Sequence, residues 1–414
     1  MRCDVLVLGA GMVGISAALA LQARSRHVVL ADRRGPAEET SYGNAGLIQR
    51  EAVLPHAFPR DIKKIIKVAL GRASDAHLHW RALPEIAPFL YGYWRHGTPE
   101  RIARTASAAR PLVEQSVVEH EALMAPAGVA HLARRTGYLK LFRNARAFEA
   151  EVAGGEAARA RYGVESEPKT NAELHALEPD LNGTFAGGVL FSQPVSCADP
   201  GALGKAYADL FVSRGGQLVT ADAHMLEPTA NGWLLRRVDD NIEAPDVVVA
   251  LGPWSRHVLR GLGIHIPMGV KRGYHMQYRN IGNSGLTRPV IDVESGYALV
   301  AMTSGTRLTT GAEFASLEAP PTPVQLALNE PRAREIFPLG ERTEPKPWLG
   351  ARPCFPDMLP MIGSVPGRKG LWLDTGHHHL GFTLGPVTGR LLAELITGIE
   401  PFTDPRPYSV DRFA

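Results

Sequence analysis

The spacing of hydrophobic and polar positions changes several times along the chain, and each change predicts an element. Val5–Leu8 is a short unbroken apolar run; Gly9, Gly11 and Gly14 follow it, and an Ala/Leu-rich stretch then extends through Ala23. A second apolar run, His27-Val-Val-Leu-Ala-Asp32, ends on an acid. Short apolar runs bounded by turn residues read as buried parallel strands, and the longer stretch between them as a helix. After Asp32 the alternation of strand and helix stops. Residues 40–46 are turn-rich, and residues 58 to about 125 read as helical. In that tract Ile62, Ile65, Ile66, Ala69 and Leu70 share one face, with Lys63, Lys64 and Lys67 opposite.

Strand-like runs follow at Tyr138–Phe142 and 188–191. Asp199-Pro200 predicts a helix start, an N-cap carboxylate followed by proline at the first position, with the helix running to about residue 213. Gln217–Thr220 reads as a strand, 246–252 as a buried strand ending on Gly252, and 270–315 alternate as antiparallel strands do. A short strand at 371–373 precedes a helix beginning at Gly385-Pro386 and ending near Thr397. The predicted fold class is α/β: a Rossmann-like dinucleotide-binding domain assembled from residues 1–57, 192–266 and 346–414. Residues 58–191 and 267–345 form an inserted α+β substrate domain with a mixed or antiparallel sheet and a helical insertion.

Composition narrows the function classes. The 414 residues hold 45 Lys and Arg against 42 Asp and Glu, too balanced for a nucleic-acid-binding surface. Cys3, Cys197 and Cys354 are scattered and odd in number, which suits core thiols in a reducing compartment rather than disulfides or zinc. The apolar N-terminal stretch is interrupted by glycines and preceded by Asp4, so it reads as fold rather than as signal peptide or membrane span. A cytoplasmic protein is expected.

The order strand, Gly9-Ala-Gly11-Met12-Val13-Gly14, helix, strand, Asp32 is specific where a lone glycine motif is weak. Its glycines permit a tight turn, backbone approach to a pyrophosphate and close helix packing, and the acid reaches ribose hydroxyls. A nicotinamide enzyme using Arg33 and Arg34 as phosphate partners is the less favoured reading, since Asp32 would repel that phosphate. A dinucleotide fold broken into separated pieces, with a β-rich insertion, is the organisation expected of a flavoprotein.

At this point the chain resembles the D-amino-acid oxidase superfamily of FAD-dependent amine oxidoreductases, and within it the bacterial D-amino-acid dehydrogenases. The residues carrying the resemblance are the N-terminal glycines with Asp32, then Thr40-Ser41, Asn44-Ala45-Gly46 and Ala250-Leu-Gly252. Trp348-x-Gly-x-Arg-Pro353, Pro356-Asp357, Pro360, Ile362-Gly363, Gly376-His377 and Gly381 complete the set, which spans nearly the whole chain. The resemblance implies non-covalent FAD; the covalent attachment cysteine of some sarcosine-oxidising relatives would fall nearer Ala351 than Cys354. It also implies hydride transfer from the α-carbon of a small amino acid to flavin N5, with the 386–397 helix aimed at the negative flavin. Arg352 stands where the family's Gly-x-Arg-Pro motif places a carboxylate clamp; Tyr274 is expected to add its phenol to the same carboxylate, and His377 to face the reacting groups. Met12, Val13, Arg33, Arg34, Val219, Trp254, His378, Leu380 and Thr383 complete the expected cofactor contacts. No general base is evident, and an amine entering unprotonated needs none.

The residues leave several readings open. A D-proline or D-hydroxyproline substrate, a D-alanine type and a sarcosine or glycine oxidase share the scaffold, and a flavin-binding subunit of a larger complex is a further alternative. Homo- and hetero-oligomers remain open. Metal binding by His377, His378 and His379 is disfavoured, because successive side chains on an extended segment point to opposite faces. The helical tract 60–96, with Trp80, Phe89, Tyr91, Tyr93 and Trp94 beyond the lysines, is read first as a helix packed on the substrate domain. The alternative is a peripheral contact with the inner membrane face, where a quinone or another carrier accepts electrons.

Overall fold

Val5–Leu8 and Val28–Asp32 pair in parallel, Val5 beside Val28 and Leu8 beside Ala31. The computed structural model describes residues 1–413. Asp246–Val249 flanks the first strand, Gln217–Thr220 the second, and Leu371–Thr375 with antiparallel Met361–Ser364 closes a six-stranded sheet. Val5–Leu8 and Val247–Val249 are fully buried, which is why these strands read as continuous apolar runs rather than as alternation. Helices Met12–Gln22, Pro200–Ser213 and Gly381–Thr397 cover the sheet. Asp199 caps the second of these as expected, its Oδ1 accepting from the Ala202 amide at 2.9 Å.

The second sheet has eleven strands and takes in the alternating segment. Gly269–Asn280 is its long central strand, pairing antiparallel with Gly305–Thr310 and with Trp348–Cys354. Residues 348–354, expected in the dinucleotide-binding segment, therefore extend the larger sheet instead; their register sets Lys271 opposite Arg352. This strand carries the motif that links the two sheets.

Three sequence expectations change. The last helix begins at Gly381, not at Pro386. Proline inside a helix frees the carbonyl four residues earlier; here that carbonyl belongs to Phe382, and His120 Nε2 donates to it at 2.7 Å, so the helix continues through the proline. The tract 58–125 is three helices, Ile62–Ala69, Leu83–His96 and Pro99–Met124, interrupted by a strand, Ala76–Leu78, paired with Ala312–Phe314. The apolar stripe of Ile62–Ala69 does not form core: Ile62 is 69%, Ile66 52% and Leu70 61% exposed, while Phe89 and Tyr93 of the next helix are buried. Among the described residues, no helix is long and apolar enough to cross a membrane.

Candidate active site

One cavity reaches from Gly9, Gly11, Asp32 and Arg33 to Gly273, Arg352 and His377, His378 and His379. At the first end the backbone does the shaping. Gly9 has φ +103°, and a Cβ there would lie 2.6 Å from the Ala250 carbonyl oxygen; a Cβ on Gly14 would lie 1.8 Å from that of Gly9. Neither position tolerates a side chain, so the turn stays narrow and the start of the Met12–Gln22 helix meets the cavity. That helix has no side-chain cap at Gly11, and the Met12 amide donates to Ser41 Oγ at 2.9 Å. Asp32 is held by its neighbours: Oδ2 accepts from the Ala10 amide at 2.8 Å and Oδ1 from that of Arg34 at 2.8 Å. A helix start open to the cavity, beside a fixed carboxylate, is the donor set that a pyrophosphate and a ribose require.

The expected cofactor residues divide. Met12, Val13, Thr40, Ser41, Asn44, Ala45, Ala250, Gly252, Trp254, His378 and Gly381 line the cavity with Gly9, Gly11, Asp32 and Arg33. Gly14, Arg34, Gly46, Val219, Gly376, Leu380 and Thr383 are not part of its wall. Gly14 and Gly46 shape the turns beneath it. Val219 is replaced in the wall by residues 221–224, just past the end of its strand. Thr383 Oγ1 donates to the Leu47 carbonyl at 3.0 Å instead. Arg33 and Arg34 both pair with Glu39, and the Arg33 guanidinium stacks 4.5 Å over the Trp254 ring. Thr40 Oγ1 donates to the Ala351 carbonyl at 3.0 Å, and Asn44 Oδ1 accepts from the Gly46 amide at 2.8 Å. These two side chains hold the loop in shape and leave its backbone towards the cavity.

Several contributors were not legible. Arg307 donates to the Tyr42 and Asn44 carbonyls at 3.2 and 2.7 Å, tying the loop to the larger sheet. Its signal was a charged residue at a buried position of an alternating strand. Gln49 and Trp348 also line the cavity, and Trp348 stacks on His275 with centroids 4.9 Å apart.

At the far end stands Arg352. Its Nη1 donates to the Gly311 carbonyl at 2.9 Å, and Nη2 lies 3.4 Å from that of Thr310. The guanidinium lies over Gly273, where a Cβ would come within 2.5 Å of Nη2, and desolvation lowers its pKa. It is half-buried, and it lines the cavity. Among the described residues, no carboxylate pairs with it.

The pairing of Tyr274 with Arg352 is corrected. Alternate residues of a strand face opposite sides; the register places Lys271 and Gly273 on the face of Arg352, and Arg272 and Tyr274 on the other. The Tyr274 hydroxyl donates to Glu313 Oε2 at 2.9 Å and accepts from the Thr322 amide at 2.7 Å. Glu313 also pairs with buried Arg272 at 2.7 Å and with His79 at 2.8 Å. His77 joins His79 and Glu313 in a cluster whose ligand atoms fall within 4.8 Å of one another, but the carboxylate there is already engaged by the arginine.

His377 also lines the cavity, and its Nε2 is held 3.0 Å from Thr388 Oγ1 and 3.2 Å from Asp374 Oδ1, which ties its ring to the last helix. His378 has φ +52°, is buried, and among the described residues its Nε2 has no partner. Cys354 is a buried free thiol whose Sγ lies 3.5 Å from the Arg352 carbonyl.

The chain is similar to known proteins over nearly its whole length. A D-amino-acid oxidase from Bradyrhizobium diazoefficiens is 30% identical over 417 residues, covering 99% of this chain and 98% of that one. A D-amino acid dehydrogenase from Paramagnetospirillum magneticum is 30% identical over 438 residues, covering 99% and 98%. Among solved structures, glycine oxidase from Geobacillus kaustophilus shares the fold with a TM-score of 0.76 at 20% identity, covering 99% of each chain. The family model described as FAD dependent oxidoreductase matches residues 4–395. The chain belongs to this DAO family of FAD-dependent oxidoreductases, and FAD is the group that its glycine turn and Asp32 are built to hold.

Proposed function

We propose that the protein oxidises a small amino acid of D configuration to the imino acid, and that Arg352 binds the substrate carboxylate. FAD, when bound, supplies the hydride acceptor. The observation that carries this reading is the Arg352 guanidinium, which lines the cavity and, among the described residues, has only backbone carbonyls as hydrogen-bond partners. A planar cation so placed presents its remaining N–H groups to a carboxylate and fixes the α-carbon by that contact. The start of the Gly381–Thr397 helix, which forms part of the wall, brings a positive dipole end to the same cavity. The Tyr274 hydroxyl is engaged by Glu313 and the Thr322 amide, and His377 Nε2 by Thr388 and Asp374, which fits a substrate entering as the neutral amine. The D configuration rests on the relatives named D-amino-acid oxidase and D-amino acid dehydrogenase.

The experiment is anaerobic mixing of the yellow protein with D-alanine, D-proline, sarcosine and the L enantiomers. Rapid bleaching by a D-amino acid is the expected result; bleaching by L-amino acids or sarcosine alone overturns the reading.

The exposed Ile62, Ile66 and Leu70, beside Lys63 and Lys67, favour a peripheral contact with an anionic membrane, where a quinone would take the electrons. Co-sedimentation with anionic vesicles, lost on Lys63→Glu with Lys67→Glu, tests this; vesicle binding unchanged by the substitutions contradicts it.

A further inference from the structure

Three glycines beside Arg352 are required for room rather than for backbone freedom. Gly43, Gly273 and Gly350 all line the cavity, and none of them has a left-handed backbone. A Cβ on Gly43 would lie 1.9 Å from Trp348 Cζ3, one on Gly350 2.2 Å from Trp348 Cη2, and one on Gly273 2.5 Å from Arg352 Nη2. Only hydrogen fits at each, so Gly43 and Gly350 leave a slot for the indole and Gly273 leaves a bed for the guanidinium.

The strand register brings those two side chains together at the cavity. Trp348, Gly350 and Arg352 alternate along one strand and so share a face, and Gly350 stands directly opposite Gly273 in the antiparallel pair. Cβ positions opposed in this way are about 5 Å apart, so the indole edge over one glycine and the guanidinium over the other lie no more than about 10 Å apart. Both side chains are part of the cavity wall. An amino acid whose α-carboxylate rests on Arg352 fills that interval, at ordinary hydrogen-bond and contact distances, with a side chain of no more than about three carbons.

The indole is also wedged in place. Its stacking partner His275 is buried, and the two rings lie 14° from parallel. His275 Nδ1 lies 3.2 Å from the Gly43 carbonyl oxygen, which ties the stack to the glycine beneath the indole. Burial, then the Arg307 charge, holds the pKa of His275 down at about 3, so the ring stays neutral and the stack does not change with pH above that value.

We propose that the indole of Trp348 is the wall that limits the substrate side chain, admitting small uncharged ones and excluding aromatic ones. This rests on the amino-acid oxidation and the Arg352 contact proposed above, and names the residue that sets substrate size. An indole face is apolar and carries the negative side of the ring quadrupole, so it offers a side-chain carboxylate nothing. Trp348 takes no part in hydride transfer.

The test compares D-alanine and D-norvaline with D-phenylalanine as anaerobic flavin reductants, in the wild-type protein, Trp348→Phe and Trp348→Ala. Binding of the non-oxidisable propionate and hydrocinnamate is followed in parallel by the change in flavin absorbance. The wild type should favour the small substrates, and propionate over hydrocinnamate, by about tenfold or more, the size of the penalty for overfilling a packed site. Trp348→Ala should stay yellow and lose most of that preference by binding hydrocinnamate more tightly, with Trp348→Phe in between. Such a gain for the bulky ligand distinguishes a wall from general damage, which weakens both ligands. A wild type that accepts the bulky ligand equally well, a preference unchanged in Trp348→Ala, weakening of both ligands alike, or loss of the yellow colour from both variants overturns the wall while leaving amino-acid oxidation standing. Reduction by no amino acid overturns both.

Discussion

The two ends of the cavity are built by opposite means. At the nucleotide end the backbone recognises the ligand: Gly9 and Gly14 allow no side chain, and Asp32 is fixed by amides of its own neighbourhood. At the far end the proposed carboxylate contact is a side chain. Arg352 and the Gly273 it covers are 79 residues apart in sequence and are brought together only by the register of one antiparallel pair. Local backbone requirements leave a local mark in sequence, so the first end is readable as a motif. Cross-strand assembly leaves none, because which face a residue takes depends on a register that no local pattern specifies.

Substitution at the two ends should therefore fail differently. The largest effect belongs to Gly14→Val, whose Cβ would enter the Gly9 carbonyl; the expected outcome is protein purified without yellow colour, with a cost of about 3 kcal/mol or more seen by thermal denaturation. Full flavin retention would break the contrast. Next, Arg352→Lys should keep its flavin yet lose about 100-fold in kcat/KM, because an ammonium cannot reproduce the planar fork. If flavin and activity were lost together, the two ends would not be separable.

The packing of His120 on the last helix gives a smaller effect, on stability. His120 is buried, and desolvation lowers its pKa from 6.5 to about 4. Between those values the unfolded chain binds a proton that the folded protein refuses. Stability is thus fully present above pH 6.5 and falls as the pH drops towards 4, by about 3 kcal/mol from this residue alone. His120→Phe should flatten that acid limb and cost about 1–3 kcal/mol at pH 7, through the unpaired Phe382 carbonyl. Denaturant unfolding at several pH values checks both; an acid limb as steep as in the wild type contradicts the assignment. The smallest change is expected from Ile62→Ser with Ile66→Ser, which belongs to neither end. Both residues are exposed, so unfolding free energy should move by no more than about 0.5 kcal/mol each.

Particular residues show where sequence reasoning stopped. The strands 5–8 and 28–32 and the Asp199 cap were legible because burial on two faces and capping each leave a local mark; 269–280 read as a strand from its alternation although residues 271–278 are buried on both faces. The start of the last helix was not, since proline normally ends what precedes it and His120, more than 260 residues away, supplies the missing partner. Tyr274 was misplaced by one strand face. The stripe at Ile62 was read as core because helical periodicity reports an apolar face without reporting what covers it. His378 was named from the resemblance, but that its buried Nε2 is left without a partner among the described residues only the folded arrangement reveals.

The most direct test of the central claim is the rate of flavin reduction in Arg352→Ala, measured anaerobically against the best D-amino acid substrate of the wild type. The account predicts a yellow protein with ordinary flavin content, reduced about 100-fold or more slowly at low substrate concentration. Reduction at the wild-type rate and affinity would contradict it, because the substrate carboxylate would then be held elsewhere.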